Sequence, residues 1–546
     1  MTGRVSEGHT RSGPAGSWCP GPAREALPGV SVVLIIRGEY VSAQEPMRSH
    51  VPTGTSANPS RRYRLFAGLA ALSLLAAACG GGGTGTAVPS QPAVVPPASG
   101  DASTPPMSSP DTSPSASSPD GSPSASGDPG VDAGVEVTLE PPATGGALTL
   151  WNPFTGPDGT FFSNLVDEFN SETPQCQTTV ATQPGAEYIA RLEAAAAGDQ
   201  LPHIIAAGYD ALPGLTENGI VTPIDDFAEQ AGLSAEQFPE AIWNAGLWKD
   251  QRVGVPIDTH PMVFFYNKAL FEEAGLDPEN PPTDRESFEA AIQAINDETE
   301  ADGYQMVSSG PGANFLVGIQ FATLFYQGGG EWTSEDFSEA TFNSEAGVQA
   351  ADYLASLVND HGVPTVESDA EIIAFAQSTN AMVWSGIWES TRYSEALGDD
   401  LGVAPVPEIF GPGVWGGSHN LAVTAAADAD PELRACAYYF MDWFSAHSME
   451  WAAGGQVPAR TAVRESEALQ NATEGLLPII AQVTPLADSV QFLPTIPGGG
   501  DLLFVGQGAG EAATLVIGGM DAQEALNAAA EFNSEVLRTN KERYDY

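Results

Sequence analysis

Hydrophobic positions dominate Ala147-Leu-Thr-Leu-Trp151, which reads as a short apolar strand. A Pro/Gly turn from Asn152 to Gly159 follows, and then Phe161, Phe162, Leu165, Val166 and Phe169 recur at helical spacing. The pattern predicts a second strand over 177–182, an Ala-rich helix over 188–197 and a third strand over 203–207. That order, β-α-β-α-β, is the signature of a mostly parallel sheet covered by helices, an α/β fold. Two more strand-like runs occupy 252–257 and 262–266, and Thr283-x-x-Glu286 reads as a capping box for a helix running through Ile295. Pro431 opens a strongly apolar helix over 433–444, and no solenoid-type repeat is present. Ligands of parallel α/β sheets bind beyond the C-terminal ends of the strands. The candidate positions are therefore Trp151-Asn152, Gly208-Tyr209-Asp210, Asp258-Thr259-His260 and Ser385-Gly386.

The beginning of the chain carries a different pattern. Arg61, Arg62 and Arg64 precede Leu65-Phe-Ala-Gly-Leu-Ala-Ala-Leu-Ser-Leu-Leu-Ala-Ala-Ala78, which ends at Cys79. As a helix this run spans roughly 21 Å, short for a bilayer crossing. Positive charge, a short apolar run and small residues before a cleavage point define a secretory signal over 47–78. The Ala76–Cys79 stretch resembles the lipobox of bacterial lipoproteins, with Ala76 where that motif usually has a larger aliphatic residue. The resemblance implies a lipid on Cys79 and an extracytoplasmic, membrane-anchored protein; an uncleaved signal anchor is the alternative. Met47 stands just ahead of a signal of ordinary length, so residues 1–46 read as a misassigned or disordered N-terminus. From 79 to 145, Gly, Ser, Pro, Thr and Ala dominate, a composition that cannot bury enough apolar surface to order itself. As a coil of about 65 residues it reaches about 45 Å, the length of a tether.

Charge sharpens this picture. The chain holds 70 acidic against 20 basic residues, a formal net charge of −50. Such a surface repels nucleic acid and anionic headgroups, so neither is expected as a partner. The four cysteines, Cys19, Cys79, Cys176 and Cys436, are too widely spaced for a local metal site. Cys176 and Cys436 are either a disulfide or two separately buried thiols; spacing alone does not choose.

From Leu148 onward several blocks, in order, carry a family likeness: Ala195-Ala-Ala-Gly-Asp-Gln-Leu-Pro-His203, Gly219-Ile-Val-Thr-Pro-Ile-Asp-Asp226, Gly254-Val-Pro-Ile-Asp-Thr-His260 and Phe265-Tyr-Asn-Lys-Ala-Leu-Phe-Glu-Glu-Ala-Gly-Leu276. Asn380-Ala-Met-Val-Trp-Ser-Gly-Ile-Trp388 and Trp451-Ala-Ala-Gly-Gly-Gln-Val-Pro-Ala-Arg460 complete the set. Together they resemble extracellular solute-binding proteins of the maltose-binding-protein type, with His203 where the family usually has Asp. The resemblance implies a two-lobed periplasmic-binding-protein fold, type II-like, with the ligand between lobes joined by a hinge. Lobe one would comprise 146–258 and 422–465, and lobe two 259–421 and 466–546, with crossings near Asp258 and Asn420. It also implies a monomer that captures a sugar for the permease of an ABC importer, without a cofactor and without catalysis.

Sugar recognition needs aromatic planes for the C–H faces and polar groups for the hydroxyls. Trp151, Trp388 and Trp415 are the candidate planes, each with core packing as its alternative, whereas Trp384 reads as core. Asp258 is either a hydroxyl acceptor or a hinge or cap carboxylate. Thr259, His260, His419, Asn420, Asn152, Tyr209 and Asp210 are polar candidates; Tyr266 and Asn267 read as sheet braces. A metal at the histidines is disfavoured because no third ligand lies close in sequence. Arg460 faces either a ligand carboxylate or an acidic neighbour. A polyamine is the alternative ligand, and a glycoside hydrolase, which needs two flanking carboxyls, is the enzymatic rival.

Overall fold

Leu148 and Leu150 are fully buried while Thr149 between them is exposed, and the strand they form runs over Leu148–Asn152, where the sequence places one. A computed structural model describes residues 133–546 other than 184, 311 and 505. The signal over 47–78, Cys79 and the tether up to 132 lie outside the described residues. The helix Tyr188–Ala197 occupies the expected positions, and strands Thr178–Thr182 and Ile204–Gly208 lie within a residue of theirs.

Two sheets organise the chain. In the first, Leu148–Asn152 lies between Thr178–Thr182 and Ile204–Gly208, both parallel to it; His419–Val423 then adds antiparallel to Ile204–Gly208, and Val255–Pro256 closes the edge. The second is built on one long strand, Asp258–Asn267, which pairs antiparallel with Asn380–Gly386, Leu401–Ala404, Val414–Gly417 and Val457–Pro458. Each sheet is the centre of one lobe. Asp258, Thr259 and His260 follow the strand Val255–Pro256, as expected, and also begin the long one.

The chain reaches the second sheet again between Val423 and Val457, after two earlier crossings between the sheets at Ile257 and at Ser418. Those two earlier crossings run side by side: the Ile257 N–H donates to the His419 carbonyl at 2.9 Å and the Ser418 hydroxyl to the Asp258 carbonyl at 2.7 Å. Thr259 adds a hydroxyl bond to the Gly417 carbonyl at 3.0 Å, so this buried threonine ties crossings together and does not face solvent.

Several local expectations shift. The helix Arg285–Glu298 is capped by Asp284 with Ser287, not by Thr283 with Glu286, since the Asp284 side chain accepts the Ser287 N–H at 2.9 Å. Asn267 caps Lys268–Glu273 and Tyr266 donates to the Pro278 carbonyl, the bracing roles expected of them. Trp384 is core, 5.0 Å from Phe288. Cys176 and Cys436 form a disulfide with Cα atoms 5.4 Å apart, which fastens the helix Pro431–Ala446 to the start of the first sheet. The last stretch of the tether is also not free: Asp442 accepts the N–H groups of Thr138 and Leu139 at 2.8 Å each, and Val135, Val137 and Leu139 pack against the core. A buried carboxylate on the helix draws the preceding chain onto it, so the folded part starts before residue 146.

Candidate ligand site between the lobes

A cleft of about 630 Å³ opens where the crossings at Ile257 and Ser418 meet, a size suited to small ligands. Its two walls differ in chemistry. Lobe two supplies an aromatic wall: Trp388 and Trp415, with Phe315 and Phe504 packed 5.2 Å apart between and beside them. Lobe one supplies a polar wall of Asp158, Tyr209, Asp210, His419 and Gln456, with Phe154 beneath.

Local sequence explains the placement. Trp388 can lie flat at the strand end because residue 386 is Gly: a Cβ there would overlap the Trp388 ring. Gly417 does the same for His260, whose imidazole occupies the space a side chain would need. Asn152 accepts the Phe154 N–H at 3.0 Å, folding the Pro/Gly turn so that Phe154 enters the cleft.

Beneath the histidines sits Asp258, with no exposed surface. Its Oδ1 accepts the His419 N–H at 2.8 Å and meets His260 Nδ1 at 3.2 Å. Its Oδ2 takes His419 Nδ1 at 2.9 Å and the Trp451 indole N–H at 2.8 Å. Burial alone would raise the carboxyl's pKa, but the adjoining His419 and His260 outweigh it and hold Asp258 well below the usual carboxylate range. Burial likewise opposes a proton on His419, and Asp258 overcomes it, so His419 titrates above the ordinary histidine value. His260 titrates below it, through burial and then the neighbouring His419. In this stacked pair, with centroids 4.3 Å apart, a proton is favoured on His419 over His260.

The expectation that the histidines lack a third metal ligand is corrected: the fold brings Asp258 to them, with the ligand atoms of all three within 4.8 Å. The arrangement is still a poor metal cage. The ring planes lie 28° apart, so their in-plane lone pairs run side by side, and the carboxylate is already occupied by four N–H donors.

Of the sequence candidates, Tyr209, Asp210, His260, Trp388, Trp415 and His419 line the cleft. Trp151, Asn152, Asp258, Thr259, Asn420 and Arg460 do not. Trp151 is half-buried in an inner strand of the first sheet, paired with Ala181 and Ile205. Asn420 is buried in the strand beside Gly246 and Gly254. Arg460 lies in the core of lobe one, where Asp442 is the carboxylate that favours its charge. Asp158, Gln456, Glu389, Arg392, Phe154, Phe315 and Phe504 went unnoticed. Glu389 adjoins the flagged Trp388, and Gln456 lies inside the 451–460 block, where Arg460 drew the attention instead. Phe315 gave no signal because the helix Ala313–Gln327 is apolar nearly all round, so no period marks its exposed face, and Phe504 lies outside any helix or strand.

Two lobes on separate sheets, joined by adjacent crossings and enclosing a cleft, make the two-lobed fold of periplasmic solute-binding proteins. Residues 164–477, more than half of the chain, match the model for the bacterial extracellular solute-binding protein family, and the chain belongs to that family. Its relatives bind solutes outside the cytoplasm. The sn-glycerol-3-phosphate-binding periplasmic protein of Escherichia coli K12 is 27% identical over 142 residues, 25% of this chain and 32% of that protein. The match thus spans about a third of the curated relative. The same fold recurs in the GacH receptor of Streptomyces glaucescens, with a TM-score of 0.61 and 22% identity over 72% of this chain and 99% of that one. The cyclic α-maltosyl-1,6-maltose binding protein of Arthrobacter globiformis gives 0.60 and 24% over 72% and 100%. A glycerophosphocholine-bound protein from Mycobacterium tuberculosis gives 0.61 and 16% over 72% and 99%.

Proposed function

We propose that this protein is the solute-capturing lipoprotein of an ABC importer, that its ligand is a carbohydrate, and that it does not turn that ligand over. The observation that carries the reading is the division of the cleft into an aromatic wall and a polar wall. A sugar ring has apolar C–H faces and a polar rim, so one wall takes the face and the other the hydroxyls. Structural neighbours named for acarbose and for a cyclic maltosyl-maltose support the same class. Closure of the lobes on the ligand would present the occupied form to a permease. The anchor at Cys79 and the tether hold the monomeric folded part at the outer membrane face.

A thermal-shift screen over mono- and oligosaccharides tests this. A true ligand at about 100 times its Kd adds about 2.7 kcal/mol to the folded state; if no saccharide moves the melt, the carbohydrate reading is wrong. With a ligand identified by that screen, Trp388→Ala is expected to weaken binding about tenfold or more by calorimetry, with the ligand-free melt nearly unchanged because the ring is only partly buried. Gly386→Ala should act in the same direction, since the new methyl displaces the ring. Release of new reducing ends from any saccharide would instead establish a hydrolase.

A further inference from the structure

We infer that the captured carbohydrate carries a positively charged nitrogen, so that the ligand class is an amino saccharide. This rests on the carbohydrate reading and narrows it. The lining of the cleft is rich in acceptors and short of free cations. Asp158, at the first turn of Asp158–Glu172 in lobe one, is 7% exposed, and Glu389 in lobe two is 9% exposed. Asp210 adds a third carboxylate from lobe one. Burial is the main influence on all three and disfavours their charged forms, and Asp158 adds a smaller like-charge effect on Glu389.

The cationic groups nearby are already engaged. His419 is held by Asp258, and Arg392 donates to Glu389 at 2.8 Å from the cleft rim. Asp158 has a neutral neighbour, Gln456, whose Nε2 donates to Oδ2 at 3.1 Å. That bond fixes the amide orientation and leaves Gln456 Oε1 as a buried acceptor without a partner, in a residue 1% exposed that lines the cleft.

Closing the lobes on a neutral ligand therefore brings Asp158 and Asp210 toward Glu389 with only His419 and Arg392, each already paired to a carboxylate, to offset them. A protonated amine placed there donates N–H bonds to Asp158 and Gln456 Oε1 and lies toward the aromatic wall, where ring faces also favour a cation. The saccharide ring that bears it stacks on Trp388 and Trp415. Charge complementarity of this kind separates a cationic solute from a neutral isostere.

The test compares the glucosamine trisaccharide with its N-acetylated form, maltotriose and spermidine, by calorimetry at pH 6.5 on the folded protein. The glucosamine trisaccharide is expected to bind at least about tenfold more tightly than the N-acetylated one. Asp158→Asn and Glu389→Gln together should remove most of that advantage. On the unmodified protein, added salt should weaken the glucosamine ligand and leave maltotriose unaffected, a readout independent of any variant. Neutral saccharides binding as tightly as the aminated one, or an advantage insensitive to salt, overturn the amino-saccharide inference and leave the carbohydrate reading standing. Binding of spermidine alone overturns both, and so does the absence of binding by all four probes.

Discussion

Replacing Asp258 with alanine is expected to lower the unfolding free energy by about 3–5 kcal/mol, as measured by urea or thermal denaturation. This carboxylate is fully buried and receives four donors, from His260, from both the backbone and the ring of His419, and from Trp451. Removing it takes from the buried His419 ring the carboxylate that favours its proton and leaves three further donors unpaired. These donors come from the chain crossings at Ile257 and Ser418 and from the helix Ser448–Ala453, so the hinge loses the group that holds its parts in register.

The pH dependence provides a second signature. The carboxyl of Asp258 is depressed, so its contribution is present above the ordinary carboxylate range and is lost as pH falls through the folded value. His419 is raised, so the same ion pair is fully present below the ordinary histidine value and is lost as pH rises through the higher folded one. His260 is lowered, so its reluctance to take a proton costs stability as pH falls below the ordinary histidine value. In Asp258→Ala the alkaline limb assigned to His419 should flatten, and its NMR titration should move to lower pH. An unchanged His419 titration would show that Asp258 does not set its charge.

Cys436→Ala, or chemical reduction of the unmodified protein, is expected to destabilise the fold by about 2–5 kcal/mol. The bond closes a loop with a sequence separation of 260, so the unfolded chain regains much freedom when it is cut, which places the effect toward the upper end. Both cysteines lie within lobe one and away from the cleft. Ligand affinity of the folded molecules should consequently change little, while the unfolding midpoint falls to the same value in Cys176→Ala, in Cys436→Ala and in the reduced protein. A midpoint insensitive to reductant would mean that the disulfide is absent or contributes nothing.

Legibility in the sequence followed the range of the interactions involved. Helix 188–197 and the strands at 148, 178 and 204 were readable because their apolar periods are set by neighbours within a few residues. The ordered blocks from Ala195 to Arg460 were enough to identify the family type. Trp388, Trp415, Tyr209, Asp210, His260 and His419 could be placed near strand ends and do line the cleft. The same rule also selected Trp151, Asn152 and Asn420, because ending a strand says nothing of which way a side chain leaves it. Trp151 stays among the strands of its own sheet, and the turn that Asn152 caps delivers Phe154 instead.

What the sequence determined by itself was the succession of elements, the α/β class, the acidic and extracytoplasmic character and the family likeness. Tertiary structure alone decided that Cys176 meets Cys436, that Arg460 faces Asp442 in the core, and that Asp258 sits under the cleft, not in it. It also assembled the pairing of Asp158 with Gln456, 298 positions apart. The reason is physical: an element forms from contacts a few residues long, whereas a binding wall forms where distant strand ends converge, and no local period records which ends those will be.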